Sequence, residues 1–227
     1  MSELKSAIFA LISKASPGHV WVPNDFAHLG GRDAIDKTLQ RMVQAGDLRR
    51  IDRGLYDRPK VNRLTKRLAS PDYRAVAEAI ARQNQARLLV DGMTAANDLG
   101  LTDAVPARVT IHTDSRRRSI QLEKLVIEFK LTAPSRLYWA GRPAMRVVQA
   151  LHWLKDMLPT ERQKILAKLG KILKDPAHGD AIRHDLHEGF SVLPGWMQNL
   201  LREIPEFDSH IAATGSRPAS DKQGEAI

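Results

Sequence analysis

Cysteine is absent from all 227 residues, which excludes a disulfide framework and any thiolate metal site. Aromatic residues are sparse, at 5% of the chain. The four tryptophans, Trp21, Trp139, Trp153 and Trp196, are scattered without the interleaved basic residues of a platform for single-stranded bases, and they read as core or junction residues. Long apolar runs are missing as well. No stretch approaches the ~18 residues of a membrane span, and the run nearest the start, residues 7–12, has six. Leu4, Ile8, Leu11, Ile12 and Ala15 recur there at helical spacing, the face of an amphipathic helix and not a signal peptide. No glycine-rich phosphate cradle, nucleophile elbow or Cys/His pair occurs. A soluble, cytoplasmic protein with no membrane partner, no cofactor and no bound metal is expected.

What the chain has in excess is positive charge. Lys and Arg number 35 against 26 Asp and Glu, a formal net charge of +9. Such a balance points to a polyanionic partner and says nothing about fold. Its distribution says more. Residues 1–67 hold 13 basic and 7 acidic side chains, and the remaining 160 hold 22 and 19. Two-thirds of the excess thus lies in under one-third of the chain.

That basic third carries a run of short elements. A helix is expected over residues 4–15, a turn at Ser16-Pro17-Gly18 and a strand over 19–22. Pro23-Asn24-Asp25 opens a brief helix, with Asn24 as its N-cap, closed by Gly30-Gly31. A longer helix over 32–45 buries Ile35, Leu39, Met42 and Val43 and stops at Gly46. Two short strands, 48–51 and 55–57, flank Asp52-Arg53-Gly54. Helix, strand, helix, helix and basic hairpin follow one another as in a winged helix-turn-helix.

Downstream, a helix over 71–83 bears Val76, Ala79 and Ile80; a strand at 86–91 and a helix at 92–99 precede Gly100. Strands are expected at 107–112, 118–122 and 124–131, then helices at 143–158 and 160–174 and a looser helical stretch over 176–203. The expected class is α+β: an N-terminal winged helix-turn-helix over residues 1–60, a larger mixed α+β domain ending in a helical region over 61–207, and a flexible tail over 208–227.

With its apolar stripe inward, the helix over 32–45 turns Arg32, Asp33, Asp36, Lys37, Gln40, Arg41 and Gln44 outward. Arg and Gln bond base edges bidentately, and Lys and Arg neutralise phosphates. The hairpin adds Arg49, Arg50, Arg53 and Arg58, so Arg32, Lys37, Gln40 and Arg41 together with these four are the candidate DNA-binding residues. The plain alternative is a solvated helix face beside a surface hairpin, and Asp33 and Asp36 repel phosphate unless they pair with Arg or accept from cytosine. Arg116-Arg117-Arg118, after Asp114-Ser115, is a dense cationic cluster that either extends this footprint or is a solvated turn. The helix over 160–174 has a capping-box pattern at Thr160 and Gln163 and aligns Lys164, Lys168 and Lys171 on one face. Those lysines make either a second basic surface or a solvated one.

Two patterns raise the question of an enzyme. Glu128-Phe129-Lys130 on a strand, with Asp114 upstream, has the acidic residues and Glu-x-Lys that some Mg²⁺ nucleases use to hold metal and position water. Glu-x-Lys is also a common tripeptide, and an exposed sheet face carries alternating charges without any catalytic role. His184 and His187 share a helix face near His178, Asp185 and Glu188, but no firm third ligand accompanies them. No catalytic residue is assigned, and the chain is expected not to be an enzyme.

Val22-Pro23-Asn24-Asp25-Phe26, Ala34-Ile35-Asp36-Lys37-Thr38-Leu39 and Arg53-Gly54-Leu55-Tyr56-Asp57 with Pro59-Lys60 resemble the winged-helix region of AbiEi-type antitoxins, which often bear the family label DUF6088. Asn97-Asp98-Leu99-Gly100-Leu101, followed by Val105-Pro106-Ala107 entering a strand, resembles the start of that family's second domain. The resemblance covers about residues 1–135. It implies the antitoxin of a type IV toxin–antitoxin system, which represses its own operon by binding double-stranded promoter DNA through the winged helix. It further implies that the C-terminal part counteracts a nucleotidyltransferase-like toxin without needing a stable complex. The residues by themselves leave open a stand-alone regulator that responds to a ligand or partner, and a Mg²⁺-dependent DNA nuclease.

Overall fold

The computed structural model describes residues 3–61 and 66–207, so the tail expected over 208–227 lies outside the described residues. The fold is mixed α+β, with N-terminal helices on a small antiparallel sheet, then a mixed sheet and C-terminal helices. The chain divides into two compact units. The first takes Met1–Asp91 and Pro106–Ala140; the second takes Gly92–Val105 and the chain from Gly141 onward.

In the first unit, α1 (Glu3–Lys14) buries Ile8 and Ile12 from one face. The strand β1 (Val20–Trp21) leads to a 3-10 turn over Pro23–Leu29 and then to α2 (Arg32–Gln44). Asn24 is not the cap expected of it. The cap is Val22: the Asp25 carboxylate accepts the Val22 N–H at 2.9 Å, and the Asp25 N–H donates to the Val22 carbonyl at 3.0 Å, the three-residue backbone bond of a 3-10 turn. The strands β2 (Arg49–Asp52) and β3 (Leu55–Asp57) form the hairpin, and the sheet order is β1-β3-β2, all antiparallel. Ile8, Ile12, Phe26, Ile35, Leu39, Met42, Leu48 and Tyr56 close into one core beneath it. This is the winged-helix arrangement, with β2–β3 as the wing. At its tip Gly54 has φ +73°, a left-handed conformation that the missing Cβ permits, and a Cβ there would come within 2.6 Å of the Gln83 side chain.

That glutamine belongs to α3 (Tyr73–Asn84), which is capped by Asp72 accepting the Arg74 N–H and buries Val76, Ala79 and Ile80. The helix packs on β1 and β3. From it Arg82 donates to the Val20 carbonyl at 2.8 Å. The strands β4 (Leu88–Val90), β5 (Arg108–Thr113), β6 (Ile120–Leu122) and β7 (Leu125–Leu131) complete the unit as a four-stranded sheet of order β4-β5-β7-β6. Here β5 and β7 run parallel, while the other neighbours are antiparallel. The chain passes over the place of β7, lays down β6 at the edge, and returns through a two-residue turn in which Glu123 has φ +51°.

The second unit is helical: α4 (Gly92–Asp98), α5 (Met145–Leu154), α6 (Leu158–Leu173), α7 (Gly179–Glu188) and α8 (Gly195–Arg202). Gly92 lets α4 and α5 approach so closely that a Cβ would sit 2.6 Å from the Gln149 carbonyl oxygen. Arg146 binds the buried Asp98 at 3.0 Å, and Arg142 spans Asp185 at 2.7 Å and Glu188 at 2.8 Å. The capping box expected at Thr160 is not formed. The helix starts at Leu158, Glu161 leaves helical geometry, and the Thr160 hydroxyl donates to the Met157 carbonyl. Trp153, expected in a core or junction, is exposed. Among the described residues, no helix is long and apolar enough to cross a membrane.

Candidate nucleic-acid interface

The buried stripe of α2 decides which of its side chains meet water. Ile35, Thr38, Leu39 and Met42 are buried, so Arg32, Asp33, Lys37, Gln40, Arg41 and Gln44 are exposed. Thr38 tolerates burial because its hydroxyl donates to the Ala34 carbonyl at 2.7 Å. From α2, Arg32, Lys37, Gln40 and Gln44 open onto a groove of about 1300 Å³. Arg50 and Arg53 reach the same groove from the wing. Its third edge is the loop after β5, which brings Arg116, Arg117 and Arg118, and the end of α3 adds Gln83 and Asn84. Nothing in the sequence marked Gln83 and Asn84, because their place follows from α3 packing on β1 and β3.

Among the described residues, seven Lys or Arg side chains and three Asp side chains line this groove. Two of the carboxylates are neutralised within it: Asp36 by Arg32 at 2.8 Å and Asp52 by Arg117 at 3.1 Å. Among the described residues, Lys37, Arg50, Arg53, Arg116 and Arg118 make no ion pair, and Asp33 is the one lining carboxylate without one. Five unneutralised cations on one concave surface create a field that concentrates polyanions.

Three other candidates do not join them. Arg49 binds Asp57 bidentately, donating from Nε to Oδ1 at 3.0 Å and from Nη2 to Oδ2 at 2.6 Å, and its Nη1 donates to the Ala69 carbonyl at 3.0 Å. Hydrogen bonding to Asp57 raises its pKa above the usual arginine value. Arg58 lies 5.5 Å over the Phe9 ring of α1. Arg41 is exposed yet does not line the groove. On α6 the three lysines are engaged differently. Lys164 pairs with Glu161 at 3.2 Å, Lys168 donates to the Gly100 carbonyl at 2.6 Å just past α4, and Lys171 is exposed.

A family of unknown function, DUF6088, matches residues 7–177, well over half of the chain. The chain belongs to DUF6088. The DUF6088 match takes in α2, the wing, the Arg116–Arg118 loop and the lysines of α6, so every candidate residue above lies within it. A comparison with curated proteins finds no match.

The enzyme-like patterns of this DUF6088 chain are occupied by structural contacts. Glu128 and Lys130 share a face of β7, opposite Thr110 and His112 of β5. Glu128 pairs with Arg108 at 2.8 Å, and Asp114 accepts the Arg87 N–H at 3.0 Å. His187 stacks on Phe207 at 4.1 Å and its Nε2 lies 2.9 Å from the Phe207 carbonyl oxygen, while Asp185 and Glu188 are held by Arg142. Among the described residues no group of three or more His, Asp or Glu is placed to hold a metal ion.

Proposed function

We propose that this DUF6088 chain is the antitoxin of a type IV toxin–antitoxin pair. In this proposal it is a cytoplasmic, non-enzymatic repressor that binds double-stranded DNA of its own promoter and counteracts a nucleotidyltransferase-like toxin through its C-terminal part. One observation carries the DNA half: the unneutralised Lys37, Arg50 and Arg53 share a groove with Gln40, so phosphate neutralisation and base reading are available on one surface. Gln40 is the side chain suited to adenine, and the wing arginines are suited to phosphate or to minor-groove edges. The toxin half is supported by the motifs at residues 22–26, 34–39 and 53–60 that resemble AbiEi-type antitoxins.

The DNA half is tested by titrating the protein against its own promoter and a scrambled duplex at several salt concentrations. Arg50→Glu and Arg53→Glu should weaken both duplexes and flatten the salt slope by about one unit per lost contact. Gln40→Ala should cost about 1–3 kcal/mol on the promoter and spare the scrambled duplex. Leu39, fully buried, is the fold control: Leu39→Ala should destabilise by about 2–5 kcal/mol and lose both kinds of binding. Wing variants that bind like wild type would refute the assignment. For the toxin half, co-expression should restore growth to cells producing the toxin encoded beside this gene; failure by a folded, expressed chain counts against it.

A further inference from the structure

We infer that the loop between β5 and β6 is a third arm of the DNA interface, in which Arg116 and Arg118 neutralise duplex phosphates and Arg117 pins the loop to the wing. The inference rests on the DNA-binding proposal above and adds residues that lie outside the winged helix.

The three adjacent arginines have different surroundings. Arg117 is withdrawn: its side chain is 14% exposed, it binds Asp52 of β2 at 3.1 Å, and it lies 5.8 Å over the Phe129 ring. Three consecutive like charges repel one another, and Asp52 compensates one of them. Arg116 and Arg118 are exposed, line the groove, and have no ion-pair partner among the described residues. The fold therefore anchors the middle residue to the wing and leaves its two neighbours charged on the surface that Arg50 and Arg53 also line. An anchor of this kind sets where the outer two charges sit without using them.

The lining also selects the occupant. Single strands are held by exposed aromatic rings on which bases stack. Among the described residues, the one aromatic residue lining this groove is Tyr56, which is 7% exposed. Cations without stacking surfaces suit a duplex backbone, in which phosphates recur at fixed spacing. Base edges are the province of α2, so the loop's contribution is to affinity and not to sequence choice.

The test uses the full chain carrying Arg116→Gln and Arg118→Gln together, titrated as above beside Arg50→Glu. Each lost phosphate contact lowers the slope of log affinity against log salt by about 0.9. Between 50 and 200 mM salt, wild-type affinity should therefore fall about twelvefold further than that of the double variant. The loss should be equal on promoter and scrambled duplex, and Arg116→Lys with Arg118→Lys should restore the wild-type slope. A double variant with unchanged slope, beside a defective Arg50→Glu, overturns this inference and leaves the winged-helix proposal standing. If Arg50→Glu is also silent, both fall. A loss confined to the promoter would make the loop a base reader and refute the phosphate role. Tighter binding of a single-stranded oligonucleotide than of the duplex would refute the choice of occupant.

Discussion

Replacing Arg49 with Ala should destabilise the protein by about 3 kcal/mol and leave the salt slope of DNA binding unchanged. The magnitude follows from what is left behind. Asp57 has a side chain only 6% exposed, and Arg49, at 23%, is its ion-pair partner. Removing one partner of a buried pair strands the other charge, which costs roughly 3–5 kcal/mol. The lower end applies because the space vacated by Arg49 opens toward water, which then hydrates part of the carboxylate. The Ala69 carbonyl loses a donor in the same step. For a chain of this length, about 3 kcal/mol corresponds to a fall in Tm of roughly 6–12 °C. Asp57→Asn should cost less, about 1–2 kcal/mol, since the remaining guanidinium is the more exposed partner. Denaturant unfolding measures the first quantity, and a salt titration below the variant's unfolding transition measures the second. A variant as stable as wild type with a slope flatter by one unit would make Arg49 a DNA contact and refute the structural role.

Glu128→Gln breaks an ion pair whose side chains are 40% and 64% exposed, so it should cost at most about 1 kcal/mol and leave promoter binding unchanged. Neither it nor the wild type should nick DNA with Mg²⁺; nicking lost in the variant would establish an enzyme. Gly54→Ala should destabilise by about 1–2 kcal/mol, because it forces a Cβ onto a φ of +73° and against Gln83. Wild-type stability in that variant would mean that the wing turn adjusts freely. Burial lowers the pKa of His19, His112 and His152, with Arg82, Lys130 and Lys155 adding to the effect in turn. The unfolded chain then binds more protons than the native one below the ordinary histidine value of 6.5, so stability should be complete above it and decline as pH falls through the lowered values. Replacing all three with Gln should reduce that decline, and an unchanged pH profile would assign the acid sensitivity to other groups.

Much of the first unit was legible from apolar spacing. The stripe Ile35, Leu39 and Met42 gave α2 to within a residue, and Val76, Ala79 and Ile80 gave α3. Local pattern carries such elements because a helix repeats its environment every 3.6 residues. It carries less where partners are distant in sequence. The parallel pairing of β5 with β7 depends on β6 being laid down at the edge first, and no periodicity in residues 107–131 records that order. The groove is of the same kind. Arg116 follows Arg53 by more than sixty positions, and only the packing of the second sheet in the same unit as the wing brings the two to one surface.

Arg49 and Arg50 show how close the sequence came and what it lacked. Successive residues of a strand face opposite ways, so the two could not have served the same surface. Deciding between them requires the register of the hairpin. The wing turn pairs Asp52 with Leu55, and an uninterrupted ladder from there would set Arg50 opposite Asp57. Arg50 would then have been the buried partner and Arg49 the free cation. Instead the register shifts by one residue between Arg50 and Asp52, so Arg49 meets Asp57 and Arg50 stands opposite Tyr56. One irregularity at Ile51 thus assigns one arginine to the fold and the next to the groove.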